Sequence, residues 1–128
     1  MSAVQNWLRF ADEDLKMAKL AMKEGLYNQV CFHCQQAVEK ALKGFLSHLG
    51  QVSPKTHKLI DILSLLPERT PFEDLEESIG LLDRFYIPTR YPDVLPGALP
   101  NGLPDREDAE EALSLAEEVL ARVRGIVR

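Results

Sequence analysis

The stretch Cys31 to Leu49 reads CFHCQQAVEKALKGFLSHL. Its residues Cys31, Cys34, Val38, Leu42, Phe45 and Leu49 recur at steps of three and four, which at about 100° per residue sets them on one face of an α-helix. That face is expected to be buried. Gln35 and Glu39 flank it one turn apart, and Gln36, Lys40 and Lys43 lie further round, so the helix carries an apolar stripe and a polar rim together.

Upstream, Val4, Trp7, Leu8, Ala11, Leu15, Ala18 and Ala21 or Met22 repeat the same spacing and predict a first long helix that stops at Gly25. Asn28 is the expected N-cap of the second helix, which runs to Gly50, and the short link between the two favours an antiparallel hairpin. Downstream, Thr56 is placed to cap a short helix with Leu59, Ile60, Leu63 and Leu66 inward, ahead of Pro67. Thr70 or Pro71 opens a fourth helix with Phe72, Leu75, Ile79, Leu82 and Phe85 inward. Its acids Glu73, Asp74, Glu76 and Glu77 suit the positive end of a helix dipole. Tyr86 to Pro104 holds five prolines and two glycines, which forbid a long regular helix. Asp105 then caps a last helix with Ala109, Ala112, Leu113, Ala116, Val119, Leu120, Val123 and Val127 inward. No strand signal or internal repeat interrupts this. The expected architecture is all-α: one domain over residues 1–128, an antiparallel bundle of about five helices, three long and two short, with a Pro-rich loop before the last.

Composition sets limits on function. A chain of 128 residues can bury a core without disulfides or metals. Its 45% hydrophobic and 27% charged content suits a folded globular domain. A net charge of −5 lacks the basic footprint of a protein that grips nucleic acid by bulk charge. No signal-peptide pattern opens the chain and no apolar run reaches membrane-spanning length, so a cytoplasmic protein is expected, with no role at a membrane.

Cys31, His33 and Cys34 invite a zinc reading, but a closed site needs four convergent ligands and a second half is missing. Both cysteines point into the apolar stripe, while His33 points roughly opposite, and neither metal nor cofactor is expected. Gln35, Glu39, Lys40 and Lys43 read either as a solvated helix face with ordinary i,i+4 support or as the rim of a site. His57 reads as a donor to phosphate, a proton carrier, or a plain hydrogen-bond partner of a neighbouring carboxylate. Arg90, held between prolines, suits bidentate capture of phosphate or carboxylate, or a salt bridge to Glu39 or Asp93. Tyr91 is placed to stack on a base or to plug the core.

Three segments, QQAVEKALKGFL at 35–46, THKLIDIL at 56–63 and TRYPD at 89–93, together resemble the HEPN domain. The upstream segment from Leu8 to Cys34 also matches its A-x-x-D-L-x-x-A helix. The resemblance implies a five-helix bundle, commonly dimeric, that works beside a minimal nucleotidyltransferase and binds nucleotide or that enzyme's substrate. In one branch the domain is a metal-independent RNase toxin marked by Arg-x4-6-His, restrained by the transferase as antitoxin. This chain departs from that branch: its histidines are His33, His48 and His57, and none follows Arg84 or Arg90. The leading expectation is therefore a non-catalytic, homodimeric binder of nucleotide or a small phosphorylated ligand, partnered by a separate nucleotidyltransferase. Gln35, Glu39, Lys40, Lys43, His57, Arg90, Tyr91 and Asp93 are its ligand-binding candidates, with no residue assigned to catalysis. The alternatives are an RNase toxin using Arg90 and His57, with RNA the less favoured ligand, and a purely interactive module.

Overall fold

A computed structural model describes residues 2–67, 70–86 and 103–127. These form α1 (Ala3–Lys23), α2 (Tyr27–His48), α3 (Leu59–Leu63), α4 (Glu76–Leu81) and α5 (Arg106–Ile126). Two 3₁₀ turns, Glu73–Leu75 and Leu82–Phe85, flank α4. Among the described residues there is no strand, so the all-α bundle with three long and two short helices stands. No helix of the described residues is long and apolar enough to cross a membrane.

Local chemistry fixes the long helices. Ser2 opens α1 with a capping box, its hydroxyl accepting from the Gln5 N–H while the Gln5 side chain accepts from the Ser2 N–H. Asp105 and Asp108 repeat the device on α5. α1 ends where Gly25 takes φ +70°, with the Leu26 N–H bonded to the Ala21 carbonyl and the Gly25 N–H to Met22. This is a Schellman turn, which an L side chain fits poorly. Gly50 ends α2 by the same arrangement at φ +81°.

Because the link is so short, α2 turns straight back along α1. The pairing runs antiparallel, with Trp7 against Lys43 and Gly44, and Asp14 against His33 and Lys40. Gly44 marks the closest approach: a Cβ there would lie 3.1 Å from the Trp7 Cβ and 3.7 Å from the Val4 carbonyl. Gly44→Val is accordingly expected to cost about 1 to 3 kcal/mol by overpacking. Urea denaturation should show a lower midpoint with an unchanged slope.

α5 lies against α2, as do α3 and the Leu82–Phe85 turn, with α4 packed on α3. The core gathers Val30, Val38, Leu42 and Leu46 of α2, Leu59 and Ile62 of α3, Phe72, Ile79 and Phe85, and Val119 and Leu120 of α5. Arg122 ties α5 to the 3₁₀ turn before α4, donating to both Asp74 carboxylate oxygens at 2.6 and 3.0 Å and to the Pro71 carbonyl. This fork holds the Asp74 carboxyl below its ordinary range.

Several boundaries differ from the sequence expectation. α2 begins at Tyr27 with Leu26 at the cap position, because the Schellman turn of α1 hands the chain directly into the next helix and leaves Asn28 inside it. α3 starts at Leu59 with Lys58 as its cap, and Thr56 turns instead toward the Lys58 N–H and the Asp61 carboxylate. A helix this short buries only Leu59 and Ile62, and Ile60 is exposed. The fourth helix is broken into 3₁₀, α and 3₁₀ pieces, as is common where helix termini tighten, and its Leu75 is only half buried. Leu49, which the periodicity puts inside, is exposed because it already occupies the C-cap of α2.

Candidate functional site

α2 supplies the site. Cys31 and Cys34 are fully buried free thiols, and burial, reinforced by nearby carboxylates, pushes the Cys31 thiol up to about 12. Cys34 is raised further, chiefly by burial. A thiolate is the reactive form, so Ellman's reagent is expected to titrate no thiol in the native protein and two after denaturation. Among the described residues no group of three or more His, Cys, Asp or Glu is arranged to hold a metal.

The polar residues beside that stripe are not a solvated face. Gln35, Glu39 and Lys43, spaced one turn apart, are 0%, 3% and 4% exposed. Such burial demands partners, and each is present. The Gln35 amide donates to the His57 carbonyl at 2.9 Å and to the Asp83 carboxylate at 3.2 Å. Its oxygen accepts from Gln36 at 2.8 Å. The Glu39 carboxylate receives the Lys43 ammonium at 3.0 Å and sits 3.2 Å from His57 Nδ1, with Gln36 on its other oxygen. The Lys43 ammonium also lies 5.6 Å above the Trp7 ring.

His57 is therefore held from two sides. Its carbonyl meets Gln35, and its ring meets Glu39, while its side chain stays 58% exposed. The ring stacks on Tyr86 at 5.9 Å and 14°, and Tyr86 in turn stacks on Phe32 at 6.2 Å and 27°. Asp83 secures the backbone beneath by accepting from the Leu59 and Ile60 N–H groups at 2.7 and 3.0 Å. A short helix with no capping side chain of its own thus borrows its cap from across the chain.

A second cluster lies where α2 meets α1. Asp14, 8% exposed, accepts from Lys40 and sits 2.9 Å from His33 Nδ1. His33 thus faces α1 instead of open solvent, with a side chain 20% exposed.

Of the sequence candidates, Gln35, Glu39, Lys43 and His57 converge on one network, and Lys40 belongs to the neighbouring one. Arg90, Tyr91 and Asp93 lie outside the described residues. The sequence assigns no role to Asp14, Phe32, Asp83 or Tyr86, and offers His33 only as an unsupported zinc ligand and Gln36 only as part of the polar rim. A signal for Asp14 was there: it interrupts the inward series Ala11, Leu15, Ala18, where an acid requires a partner. Asp83 and Tyr86 carried none, since only the folded chain brings them to α2.

Comparison with known proteins bears on this arrangement. The family model described as the HEPN domain matches residues 4–126, which takes in both clusters and every element that holds them. The chain belongs to the HEPN family. It is 31% identical to the protein named "Putative toxin MJ1304" from Methanocaldococcus jannaschii, over 95% of this chain and 86% of that one. Among solved structures, the HEPN bundle described above is similar to TT1696 from Thermus thermophilus, with a TM-score of 0.83, 43% identity and 98% of each chain covered. It is also similar to ST0689, described as an archaeal HEPN homologue, with a TM-score of 0.78, 32% identity and full coverage of both chains. HEPN membership and the helical bundle are thereby established together.

Proposed function

We propose that this HEPN protein binds a nucleotide, with the base resting on the exposed His57 ring where it stacks beside the partly buried Tyr86. The carrying observation is that His57 is exposed yet held in place by Glu39 and Gln35. A ring so held gives up little freedom when a base stacks on it, and base–aromatic stacking contributes about 1 to 3 kcal/mol. Arg90 supplies the phosphate contact in this reading, since four residues beyond Tyr86 span no more than about 14 Å. Lys43 is already engaged by Glu39, so its role is to keep that carboxylate buried and aimed at His57. A homodimer acting with a separate nucleotidyltransferase accords with the motif resemblance, and size-exclusion chromatography with light scattering tests the dimer.

Calorimetric titration of the full chain with ATP tests the binding reading. Binding is expected, weakened about tenfold by His57→Ala. Absence of heat with the wild-type chain, or an unchanged affinity in the variant, defeats it.

A second reading, a metal-independent ribonuclease, has its own support. A histidine oriented through Nδ1 by a carboxylate leaves Nε2 for proton transfer, and the relative from Methanocaldococcus jannaschii carries a toxin name. Incubation with tRNA in EDTA tests it. Cleavage that falls at least a hundredfold in His57→Ala favours the enzyme, and intact RNA excludes it.

A further inference from the structure

α4 packs on α3 and on the 3₁₀ turns at its two ends, while α5 packs on α2 and α1. Between α4 and α5 lies a groove of about 560 Å³. Leu82 and Ala112 form its buried floor, and its sides carry the half-buried Leu75 and Leu115 and the exposed Leu81. An arginine–aspartate pair crosses it toward each end: Arg122 binds Asp74, and Arg84 lies 3.9 Å from Asp108. Asp108 and Arg122 stand fourteen residues apart on α5, about 21 Å at 1.5 Å per residue. The slot is long, apolar inside and tied across at both ends.

The charge around it has one sign. Glu73 to Arg84 holds five acids and one base, and Asp105 to Glu118 holds seven acids and one base. These two walls carry −10 in a chain whose net charge is −5, so the rest of the chain is positive by 5. Of the acids that line the groove, Glu110 and Glu118 are met by Arg106 and Arg122. Glu111 is exposed at the lip, and no ion pair among the described residues engages it. An acidic partner is repelled here, whereas an apolar strip bordered by cations gains from both the slot and its rim.

We infer that this groove docks a basic amphipathic helix of a partner protein, with its apolar side chains in the slot and lysine or arginine on its flanks. A helix of three turns is about 16 Å long, which the slot accommodates. Anchors at i, i+3, i+4 and i+7 meet Leu75, Leu81 and Leu115, and the cations beside them meet Glu111 and its acidic neighbours. The two crossing pairs hold the walls in place beforehand, so docking orders little of this chain. None of Gln35, Glu39, Lys43 or His57 lines the groove, and the docking is independent of the nucleotide reading.

The test uses the full chain and a fluorescent peptide of leucine and lysine about four turns long, with leucines at i, i+3, i+4 and i+7. A scramble of the same composition, whose leucines share no helix face, is the control. By anisotropy the patterned peptide should bind about tenfold more tightly than the scramble, and added salt should weaken it. Leu81→Ser should weaken the patterned peptide about tenfold and leave the scramble unchanged. Leu81 is 54% exposed, so this variant should melt with the wild type. Glu111→Lys should weaken the patterned peptide and flatten its salt dependence. Amide chemical shifts should move over residues 75–82 and 111–118. Equal binding of the two peptides reduces the contact to general attraction by an acidic surface and overturns the proposal. Absence of binding overturns it as well, as do shifts centred on Phe10, Met17 and Leu20, the exposed apolar residues of α1. If Leu81→Ser changes the oligomeric mass measured by light scattering, the occupant is a second copy of this chain and the partner helix is excluded.

Discussion

Lys43→Met should lower the free energy of unfolding by about 3 to 5 kcal/mol. Lys43 and Glu39 have side chains only 5% and 4% exposed and meet at 3.0 Å. Methionine fills the space of the lysine stem but carries no charge, so Glu39 keeps His57 and Gln36 as partners and loses its cation. Removing one member of a buried pair leaves the other charge uncompensated in a medium that solvates it poorly. Replacing both members reverses much of this. In Glu39→Leu/Lys43→Met no charge is stranded, and most of the lost stability should return, because apolar residues of similar volume often match a buried ion pair. Urea denaturation of the wild type, the two single variants and the double variant forms a cycle that measures the coupling. A Lys43→Met cost below about 1 kcal/mol, the range of surface pairs, would show that the pair is solvated. His57 provides the functional readout. Glu39→Leu removes its ring partner, so the double variant should be stable yet poor at holding nucleotide, which separates the stability of the pair from its use.

How far sequence reached into this molecule follows from the range of each interaction. Periodicity of three and four residues identified the inward faces of α1, α2 and α5, because a helix of some twenty residues repeats its pattern often enough to be unambiguous. Gly25, Gly50 and Asp105 marked ends through chemistry confined to a few neighbours. The short elements were read less well, because a five-residue α3 has too few turns to declare a face and depends on Asp83, more than twenty residues away, for its cap. The polar rim of α2 was read as solvated or functional, and the fold made it buried. Composition distinguishes those outcomes poorly, since Gln35, Glu39 and Lys43 are ordinary surface residues and it is the placing of α1, the 56–60 segment and the Leu82–Phe85 turn that covers them. The two clusters are therefore a product of tertiary packing, seen in sequence only as polar residues at an apolar stripe's edge.

Asp83→Ala is the second large effect, expected to cost about 3 kcal/mol and to act on both stability and binding. One Asp83 carboxylate oxygen accepts from the Leu59 N–H and the Gln35 amide, and the other accepts from the Ile60 N–H. Alanine strands all three donors. The backbone donors sit at the first turn of α3, which has no side-chain cap of its own, so they are left to whatever water reaches them. Gln35, with no exposed surface, has no such recourse and loses one of its two acceptors. Buried unsatisfied donors cost about 1 to 3 kcal/mol each, and hydrogen bonds to a charged group are at the stronger end. Relaxation of the partly exposed α3 start reduces the sum, which sets the figure near 3. Asp83→Asn should recover part of it, because its one amide oxygen can still serve an N–H, whereas its NH₂ faces donors. Amide hydrogen exchange should locate the damage: Leu59 and Ile60 lose protection first, while α1 and the body of α2 keep theirs. Since His57 precedes α3 directly and its carbonyl is fastened by the same Gln35, the ring that stacks on Tyr86 loosens with the helix. Nucleotide affinity should fall in Asp83→Ala although Asp83 touches no ligand, and should return partly in Asp83→Asn. Uniform loss of protection across all five helices would instead make Asp83 a contributor to global stability with no particular hold on His57.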